Sequence, residues 1–226
     1  MKSICIIPAR SGSVRIKNKN IIKFQNKPII YWSIKVAKES KCFKKIYVST
    51  DSKLIADISK RSGNINIINR PKKLSKNTTP LVEVLHHAIK KINLEYEYVC
   101  CILPASPLII HKDIINSKKL LSKNCSFVIP ITKYDYPHEK SISIKNKNYI
   151  SLTSSKTIFK RSQELSEKYH DAGQFYWGKK NEFLEFKNIF RSKKVKGYII
   201  PNYRVRDIDT YDDVKISNLI FKYIKK

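Results

Sequence analysis

The residues that follow the first apolar segment have the types and spacing of a phosphate-binding loop. The apolar segment covers residues 4–8, and the next stretch, residues 9–20, reads ARSGSVRIKNKN. A turn of small residues after a strand exposes successive backbone N–H groups, and cations beside it complete a cradle for phosphate oxygens. The stretch contains neither Gly-x-x-x-x-Gly-Lys-Ser/Thr nor Gly-x-Gly-x-x-Gly, which excludes two common nucleotide-binding patterns. The residue types alone leave a phosphate cradle and an ordinary surface loop equally open.

Two carboxylates near the end of the chain have the spacing of a metal-binding pair. Asp207 and Asp209 are separated by Ile208. In an extended segment both carboxylates point to one face, which gives two oxygen ligands to a hard divalent cation such as Mg²⁺. The sequence Asp-x-Asp-Thr is also typical of a turn that caps the following helix, and the residue types alone favour that structural role. The two roles are compatible with each other.

Alternating strands and helices have to position these residues. Continuous apolar runs predict buried strands at residues 4–8, 98–103, 127–131 and 198–200, and the mostly apolar run at 46–50 predicts another strand. Helical spacing predicts helices that begin near residue 28 and after residue 52, and others over 81–92, 113–121 and 216–223. This alternation predicts an α/β fold, Rossmann-like and three-layered, with a mostly parallel, twisted sheet. Ligands of such sheets bind beyond the carboxyl ends of the strands, so the loops after residues 8, 50 and 103 should share one rim.

One segment departs from this alternation. Residues from about 134 to 190 contain polar turns, short alternating strands and aromatic stretches. We interpret them as a small insert that packs on the sheet or on a partner subunit. The length of residues 1–226 is otherwise that of a single domain.

The charge balance indicates anionic partners. The chain has 46 Lys and Arg residues against 18 Asp and Glu residues, which gives a formal net charge of +28. The basic residues are spread over nearly every segment, whereas a nucleic-acid-binding protein usually concentrates them, often as arginine, on one face. A solvated basic surface is therefore the favoured interpretation, and a nucleic-acid-binding protein is the alternative from a different class.

Cysteine usage and hydropathy indicate the compartment. The five cysteines form no Cys-x-x-Cys pair, which is typical of buried thiols in a reducing compartment rather than of disulfides or zinc ligands. The apolar runs are all well below the roughly 18 residues of a membrane span. We expect a cytoplasmic protein with no membrane partner.

Five ordered motifs resemble the CMP-sialic acid synthetase family of cytidylyltransferases across nearly the whole chain. The first is IPARSGSVRIKNKN at residues 7–20, where the family opens a triphosphate-binding loop with Ala-Arg-x-x-Ser and closes it with Lys-Asn. The others are VSTD at 48–51, RPKKL at 70–74, PASPL at 104–108 and DIDT at 207–210. Within that family, RSQEL at 161–165 and YHDAGQFYW at 169–177 resemble the pseudaminic acid branch rather than the N-acetylneuraminate branch.

The resemblance implies a nucleotidyltransferase fold and a metal-dependent transfer of CMP from CTP to the C2 hydroxyl of a nine-carbon 2-keto sugar acid, with release of pyrophosphate. It implies that the co-substrate CTP is bound by Ala9, Arg10, Ser11, Gly12, Ser13, Lys19, Asn20, Arg70 and Ser106. It further implies that the catalytic residues are Arg10, Lys19 and Asp209, and that the Mg²⁺ ligands are Asp207 and Asp209. Asp209 and a metal-bound hydroxide both remain candidates for the group that accepts the hydroxyl proton.

For the acceptor, the resemblance implies contacts from Lys140, Arg161, His170 and Gln174, and a homodimer in which the insert of one subunit lends residues to the neighbouring site. The chain departs from the family at Val14, Lys17, Leu103 and Ile109, where Lys, Pro, Gln and Arg are frequent. These departures concern the sugar side more than the nucleotide side. Pseudaminic acid is the expected acceptor, with N-acetylneuraminic, legionaminic or 3-deoxy-octulosonic acid as alternatives and a catalytically silent sensor of CTP as a further one.

Overall fold

The computed structural model of the chain describes residues 2–153 and 156–224. The strands in this part are β1 Ser3–Pro8, β2 Lys23–Phe24, β3 Lys27–Pro28, β4 Lys45–Thr50, β5 Asn66–Asn69, β6 Tyr98–Ile102, β7 Phe127–Lys133, β8 Ile142–Ile144, β9 Ile150–Leu152, β10 Tyr169–Asp171, β11 Phe175–Lys179 and β12 Val195–Ile199. The α-helices are α1 Ile29–Glu39, α2 Lys53–Arg61, α3 Leu81–Lys91, α4 His111–Lys118, α5 Lys180–Glu185 and α6 Tyr211–Ile224.

Eight strands form one sheet that runs through the molecule. From one edge its order is β5, β4, β1, β6 and β11, and β11 then pairs with β7. The first four of these strands are parallel, whereas β11 is antiparallel to both β6 and β7. β10 pairs antiparallel with the end of β7, and β12 pairs parallel with β7 on the side away from β11. The mostly parallel sheet predicted from the sequence is confirmed.

Helices cover both faces of this sheet because the central strands carry apolar side chains on both sides. One face of β1, which includes Cys5 and Ile7, packs against α1, α2 and α4. The opposite face, which includes Ile4 and Ile6, packs against α3 and α5. All four side chains are fully buried, as expected for a strand covered on both faces. The result is the predicted three-layer α/β fold.

The closing helix α6 packs beside the first loop and not over the sheet. The ring of Phe221 in α6 lies 5.4 Å from the Phe24 ring, measured between centroids. Ile208, just before the helix, and Ile16, in the first loop, are both buried in the same apolar cluster. This cluster brings the segment that contains the two aspartates against the loop that follows β1.

The predicted rim is also present. β1 is flanked by β4 and β6, and all three run in the same direction, so their carboxyl ends lie at one edge of the sheet. The loops after residues 8, 50 and 103 therefore share that edge, as predicted. No helix among residues 2–153 and 156–224 combines the length and the apolar character that a membrane crossing requires.

The structure corrects the extent of the insert predicted at about residues 134–190. Within that range, β10 and β11 belong to the main sheet, and β11 occupies a central place between β6 and β7. Phe175, Tyr176 and Trp177 are all buried, because β11 is covered on both faces. The part before β10 that lies outside the main sheet is residues 134–168, which contain the separate hairpin of β8 and β9; residues 154 and 155 lie outside the described residues.

Candidate active site

Hydrogen bonds hold the first loop in place immediately after β1. The side-chain Nδ2 of Asn20 donates to the carbonyl oxygen of Arg10 at 2.8 Å, which joins the two ends of the loop. The backbone N–H and the hydroxyl of Ser11 donate to the two carboxylate oxygens of Asp51, at 3.0 and 2.7 Å. Burial raises the pKa of Asp51, but the Ser11 hydrogen bonds and the charge of Arg70 outweigh it and leave this pKa lowered. Asp51 is therefore an ionised anchor for the loop.

The loop forms one wall of a cavity of about 230 Å³. The lining residues come from the ends of β1 and β6, from the loop, from the segment after β5 and from α3: Pro8, Arg10, Ser13, Lys19, Asn20, Arg70, Leu74, Lys76, Asn77, Thr79, Leu81, Val84, Leu103 and Pro104. Four of these side chains are cationic, so the cavity suits an anionic ligand. It contains five of the residues predicted to bind CTP.

Arg70 carries donors that no described residue accepts. Its side chain is only 3% exposed, and its Nε and Nη2 have no hydrogen-bond partner among residues 2–153 and 156–224. The nearest carboxylate oxygen belongs to Asp51 and lies 3.9 Å from Nη2, which is too long for a hydrogen bond. Burial lowers the pKa of the guanidinium, and the nearby charge of Arg10 lowers it further while Asp51 raises it. A buried cation with unpaired donors is strongly unfavourable unless a ligand supplies acceptors, so Arg70 is a candidate for binding an anion in this cavity.

An ion pair joins the first loop to the late aspartates. The Nζ of Lys19 lies 3.0 Å from Oδ1 of Asp209, and Nη1 of Arg15 lies 2.5 Å from Oδ2 of the same carboxylate. Lys19 and Asp209 are 190 positions apart in the chain, yet both side chains are largely buried at this contact. A single ligand can therefore contact the loop cation and the aspartate at the same time.

Helix capping, the structural alternative for the aspartate pair, is performed by other residues. The Asp213 carboxylate accepts hydrogen bonds from the backbone N–H of Thr210 at 2.8 Å and from that of Asp209 at 3.1 Å. The Thr210 hydroxyl in turn accepts from the backbone N–H of Asp213, which completes a reciprocal cap at the start of α6. Ile208 is buried between Asp207 and Asp209. The cap therefore uses neither carboxylate of the pair, and the Asp209 carboxylate instead contacts Lys19 and Arg15 of the first loop.

Asp207 and Asp209 line a second, acidic cavity of about 370 Å³. Its other lining residues are His170, Asp171, Ala172, Val205, Arg206 and Asp213. Burial raises the pKa of Asp207, and the neighbouring charge of Asp209 raises it further. Two adjacent carboxylates that repel each other are stabilised by a hard divalent cation, so their chemistry fits Mg²⁺. Within the described residues no group of three or more His, Cys, Asp or Glu side chains could hold a metal, so further ligands would have to come from substrate and water.

The residues predicted to contact the sugar acid do not share one location. His170 lines the acidic cavity, and its ring lies 4.7 Å from that of Tyr134. Gln174 is 3% exposed; its Nε2 donates to the backbone carbonyl oxygen of Arg204 at 2.7 Å, and its Oε1 has no partner in the described part of the chain. Lys140 and Arg161 lie between β7 and β10, and their side chains make no hydrogen bond or ion pair with other described residues.

Three other predicted CTP ligands lie around the first cavity without lining it. Ala9 is fully buried, and its backbone N–H donates to the carbonyl oxygen of Ser49. Gly12 is exposed at the outer side of the loop, where its carbonyl oxygen accepts a hydrogen bond from Arg10. Ser106 is buried in the turn after β6, two residues beyond the cavity wall.

Sequence reasoning missed two residues that shape this site. Asn77 accepts a hydrogen bond from the Arg10 side chain and lines the first cavity. Asp51, which anchors Ser11, stands in the VSTD motif, but no role in the site is predicted for it from the sequence. The position of Asp51 directly after β4, beside the end of β1, is the signal that could have found it. Asn77 lies in a polar segment with no pattern that marks it.

The fold matches solved nucleotidyltransferase structures over the whole chain. CMP:2-keto-3-deoxy-manno-octonic acid synthetase complexed with CTP superimposes with a TM-score of 0.74 at 13% identity, covering 99% of this chain and all of the other. 4-Diphosphocytidyl-2C-methyl-D-erythritol synthase from Anaerococcus prevotii gives a TM-score of 0.66 at 17% identity, covering 100% of this chain and 99% of the other. The molecule therefore has the Rossmann-like α/β fold of this class, with its cationic loop and aspartate pair in contact.

The chain belongs to the cytidylyltransferase family, whose pattern matches residues 4–216. It is 34% identical over 227 residues to the pseudaminic acid cytidylyltransferase of Campylobacter jejuni, a match that covers 98% of this chain and 97% of the relative. It is 28% identical over 218 residues to the N-acylneuraminate cytidylyltransferase of Escherichia coli, covering 96% of this chain and 51% of that protein.

Proposed function

We propose that this protein transfers CMP from CTP to the C2 hydroxyl of pseudaminic acid and releases pyrophosphate. The observation that carries the proposal is the contact between Lys19 and Asp209, which places a phosphate-type loop against an aspartate pair at the carboxyl edge of the sheet. The relative from Campylobacter jejuni, matched over nearly its full length, supports pseudaminic acid as the acceptor. The relative from Escherichia coli supports N-acetylneuraminic acid as an alternative acceptor, and legionaminic and 3-deoxy-octulosonic acid are the further alternatives.

The first cavity is the proposed site for the nucleotide. Arg10 and Lys19, with the backbone N–H of Gly12, bind the triphosphate, and Arg70 supplies its unpaired buried donors to the same ligand. The backbone N–H groups on either side of Gly12 are already bonded, to Asp51 and to the Ser11 carbonyl oxygen. Cations around the β- and γ-phosphates also stabilise the charge that develops on departing pyrophosphate. Asp51 and Asn20 contribute by holding the loop in the shape that presents these donors.

Asp207 and Asp209 are the proposed Mg²⁺ ligands. When bound there, the cation would neutralise charge at the reacting phosphorus and lower the pKa of the attacking hydroxyl. Arg15 and Lys19 neutralise Asp209 from the loop side. Asp209 also lies where a carboxylate could accept the hydroxyl proton, because it adjoins both the loop and the acidic cavity.

The sugar acid is proposed to occupy the acidic cavity beside His170 and Arg206. In a homodimer, Lys140 and Arg161 of the neighbouring subunit would supply cations for the sugar carboxylate, because these side chains have no partner among the described residues of their own subunit. The five cysteines are free and mostly buried, which supports a cytoplasmic location.

Release of pyrophosphate tests the proposal. The protein is incubated with CTP and Mg²⁺ and, in parallel, with pseudaminic, N-acetylneuraminic, legionaminic or 3-deoxy-octulosonic acid. We expect the highest kcat/KM with pseudaminic acid. Release with another acid alone would contradict the acceptor assignment, and release with none would contradict the reaction.

A further inference from the structure

A buried ion pair lies directly upstream of the two aspartates. Nη1 and Nη2 of Arg204 lie 2.5 and 3.0 Å from the two carboxylate oxygens of Asp113. The side chains are 8% and 2% exposed, and the residues are 91 positions apart in the chain. A bidentate contact of this kind fixes the relative orientation of the guanidinium and the carboxylate as well as their distance, because both groups are planar. The backbone at residue 204 is therefore attached to α4 in one geometry.

Hydrogen bonds attach both residues of this ion pair to the chain at or just after the end of β6. Oδ2 of Asp113 also accepts from the backbone N–H of Ile110, at the start of α4 and just after the turn that follows β6. The backbone carbonyl oxygen of Arg204 accepts a hydrogen bond from Nε2 of Gln174. The backbone carbonyl oxygen of Gln174 in turn accepts one from the backbone N–H of Leu103. Arg204 is thus tied to the end of β6 by two independent routes, one through α4 and one through Gln174.

Residues 205–209, which contain the two aspartates, form a segment so short that fixing Arg204 also restrains them. Only two residues separate Arg204 from Asp207, so a displacement of Arg204 moves the Asp207 backbone with it. Beyond Asp209 the chain is held again, by the reciprocal cap between Thr210 and Asp213. Residues 205–209 therefore span two fixed points, and the upstream point is the buried ion pair.

We propose that Arg204 and Asp113 are positioning residues, which hold Asp207 and Asp209 at the distance from the first loop that the transfer reaction requires. Gln174, predicted to touch the sugar, has the same positioning role, because its Nε2 is committed to Arg204 and its side chain is buried. The catalytic part of this inference rests on the proposed function. The mechanical part, that the ion pair restrains residues 205–209, does not.

The first test variant is Arg204→Lys, which keeps the positive charge but loses the bidentate contact with Asp113. Hydrogen exchange of residues 205–209 should become faster relative to that of α3, and kcat should fall about 10- to 100-fold, as small displacements of reacting groups commonly cause. The CTP KM should change far less than kcat, because the first loop is held separately by Asp51. Gln174→Met is the second variant. It should also make hydrogen exchange of residues 205–209 faster and lower kcat, and it should leave the sugar KM unaltered.

Leu121→Ala is the control for general destabilisation, because Leu121 is buried in the core but makes none of these hydrogen bonds. It should lower the thermal midpoint without changing kcat or the local exchange of residues 205–209. If Arg204→Lys and Gln174→Met affect exchange and kcat no more than this control, the ion pair is only structural and the inference is overturned. If wild-type protein lacks transferase activity while local exchange still responds to Arg204→Lys, the proposed function fails and the mechanical restraint stands.

Discussion

Asp209 is the residue at which the two halves of the site meet, and its substitution gives the sharpest test. Asp209→Asn keeps the shape of the side chain but removes the charge that pairs with Lys19 and Arg15. We expect kcat to fall about 100-fold or more, the scale seen when one preorganised electrostatic contact is lost. Steady-state pyrophosphate release across a Mg²⁺ titration is the measurement.

A matched control for Asp209→Asn lies three residues along the chain. Asp212 is exposed, and the one described residue with which its side chain pairs is Lys215, in the first turn of α6. Asp212→Asn removes one negative charge from the same region, and its activity should stay near that of wild type. Similar losses in both variants would mean that net charge, and not the position of Asp209, determines the rate.

Substitution of Arg70 is expected to weaken the binding of CTP while changing the stability of the protein little. Arg70→Lys removes the planar donors at Nε and Nη2, which have no partner within the described part of the protein. The CTP KM should rise about tenfold, the loss expected for a hydrogen bond to a charged group. The sugar KM and the thermal midpoint should change little. Arg61→Lys, at the exposed end of α2, is the control, and an equal CTP KM for the two variants would show that Arg70 does not bind CTP.

The charge of Asp51 makes the stability of the fold depend on pH, and the groups around this carboxylate determine the direction of that dependence. Its pKa in the folded protein lies below the ordinary value of 3.8, because hydrogen bonds from Ser11 and the charge of Arg70 outweigh the opposing effect of burial. The ionised carboxylate therefore stabilises the fold above pH 3.8, and this contribution is lost as the pH falls through the lower folded pKa. The thermal midpoint of wild type should exceed that of Asp51→Asn at pH 6, and the difference should shrink below pH 3.8. A difference that is constant over this range would contradict the role of the charge.

At the level of elements, the sequence predicts the parallel core well because each strand carries its own signal. The run at residues 4–8 is continuously apolar, and the run at 46–50 is apolar up to Ser49 and Thr50. Strands of that kind have to be covered on both faces, which is how β1 and β4 are placed. β11 was assigned to an insert because its position depends on pairing with β6 and β7, partners that are distant in the chain. Periodicity reports how a segment is buried, but it does not report which strands are its neighbours.

The same limit applies to the site. The spacing of Asp207 and Asp209 predicts two carboxylates on one face, but not whether they cap α6 or face a ligand. The structure separates these roles through Thr210 and Asp213, whose reciprocal cap depends on their three-residue spacing across the start of α6. The ion pair between Arg204 and Asp113 has no local signal at all, since it forms between segments that only the fold brings together.

The cap of α6 should influence both stability and rate, because it also fixes the residue that follows Asp209. Thr210→Ala removes the hydroxyl that accepts from the Asp213 backbone, which should lower the free energy of unfolding by about 1 kcal/mol. We expect kcat to fall as well, while Thr210→Ser, which keeps the hydroxyl, should preserve both values. Urea denaturation and initial rates measure the two effects. A Thr210→Ala protein as stable as wild type would show that the cap does not hold this segment.

At the level of the whole molecule, the hairpin of β8 and β9 is an apolar part of the described chain that no other element covers. Its apolar side chains Ile142, Ile144, Ile150 and Leu152 are all exposed, between 40% and 76%. A two-stranded hairpin with exposed apolar side chains is not stable by itself and is typical of an interface. This arrangement favours the homodimer in which Lys140 and Arg161, on the same segment, reach a neighbouring site.

Complementation between two inactive variants tests that exchange of residues between subunits. Asp209→Asn removes a residue of the subunit's own site, whereas Lys140→Ala removes one that we expect to serve the neighbour. In a mixed dimer, the site with intact Asp209 receives Lys140 from the other subunit and becomes complete. Random pairing of equal amounts should therefore restore about a quarter of wild-type activity at low sugar concentration, since half of the dimers contain one complete site.

The control mixture combines Asp209→Asn with Arg10→Ala, since both changes remove residues of the subunit's own site. Every mixed dimer then contains two defective sites, and no activity should return. If Lys140 instead serves its own subunit, the Asp209→Asn and Lys140→Ala mixture has the same defect and gives the same flat result as the control. Recovery in the first mixture but not in the second requires that each complete site be built from two chains, which makes the dimer, and not the single chain, the catalytic unit.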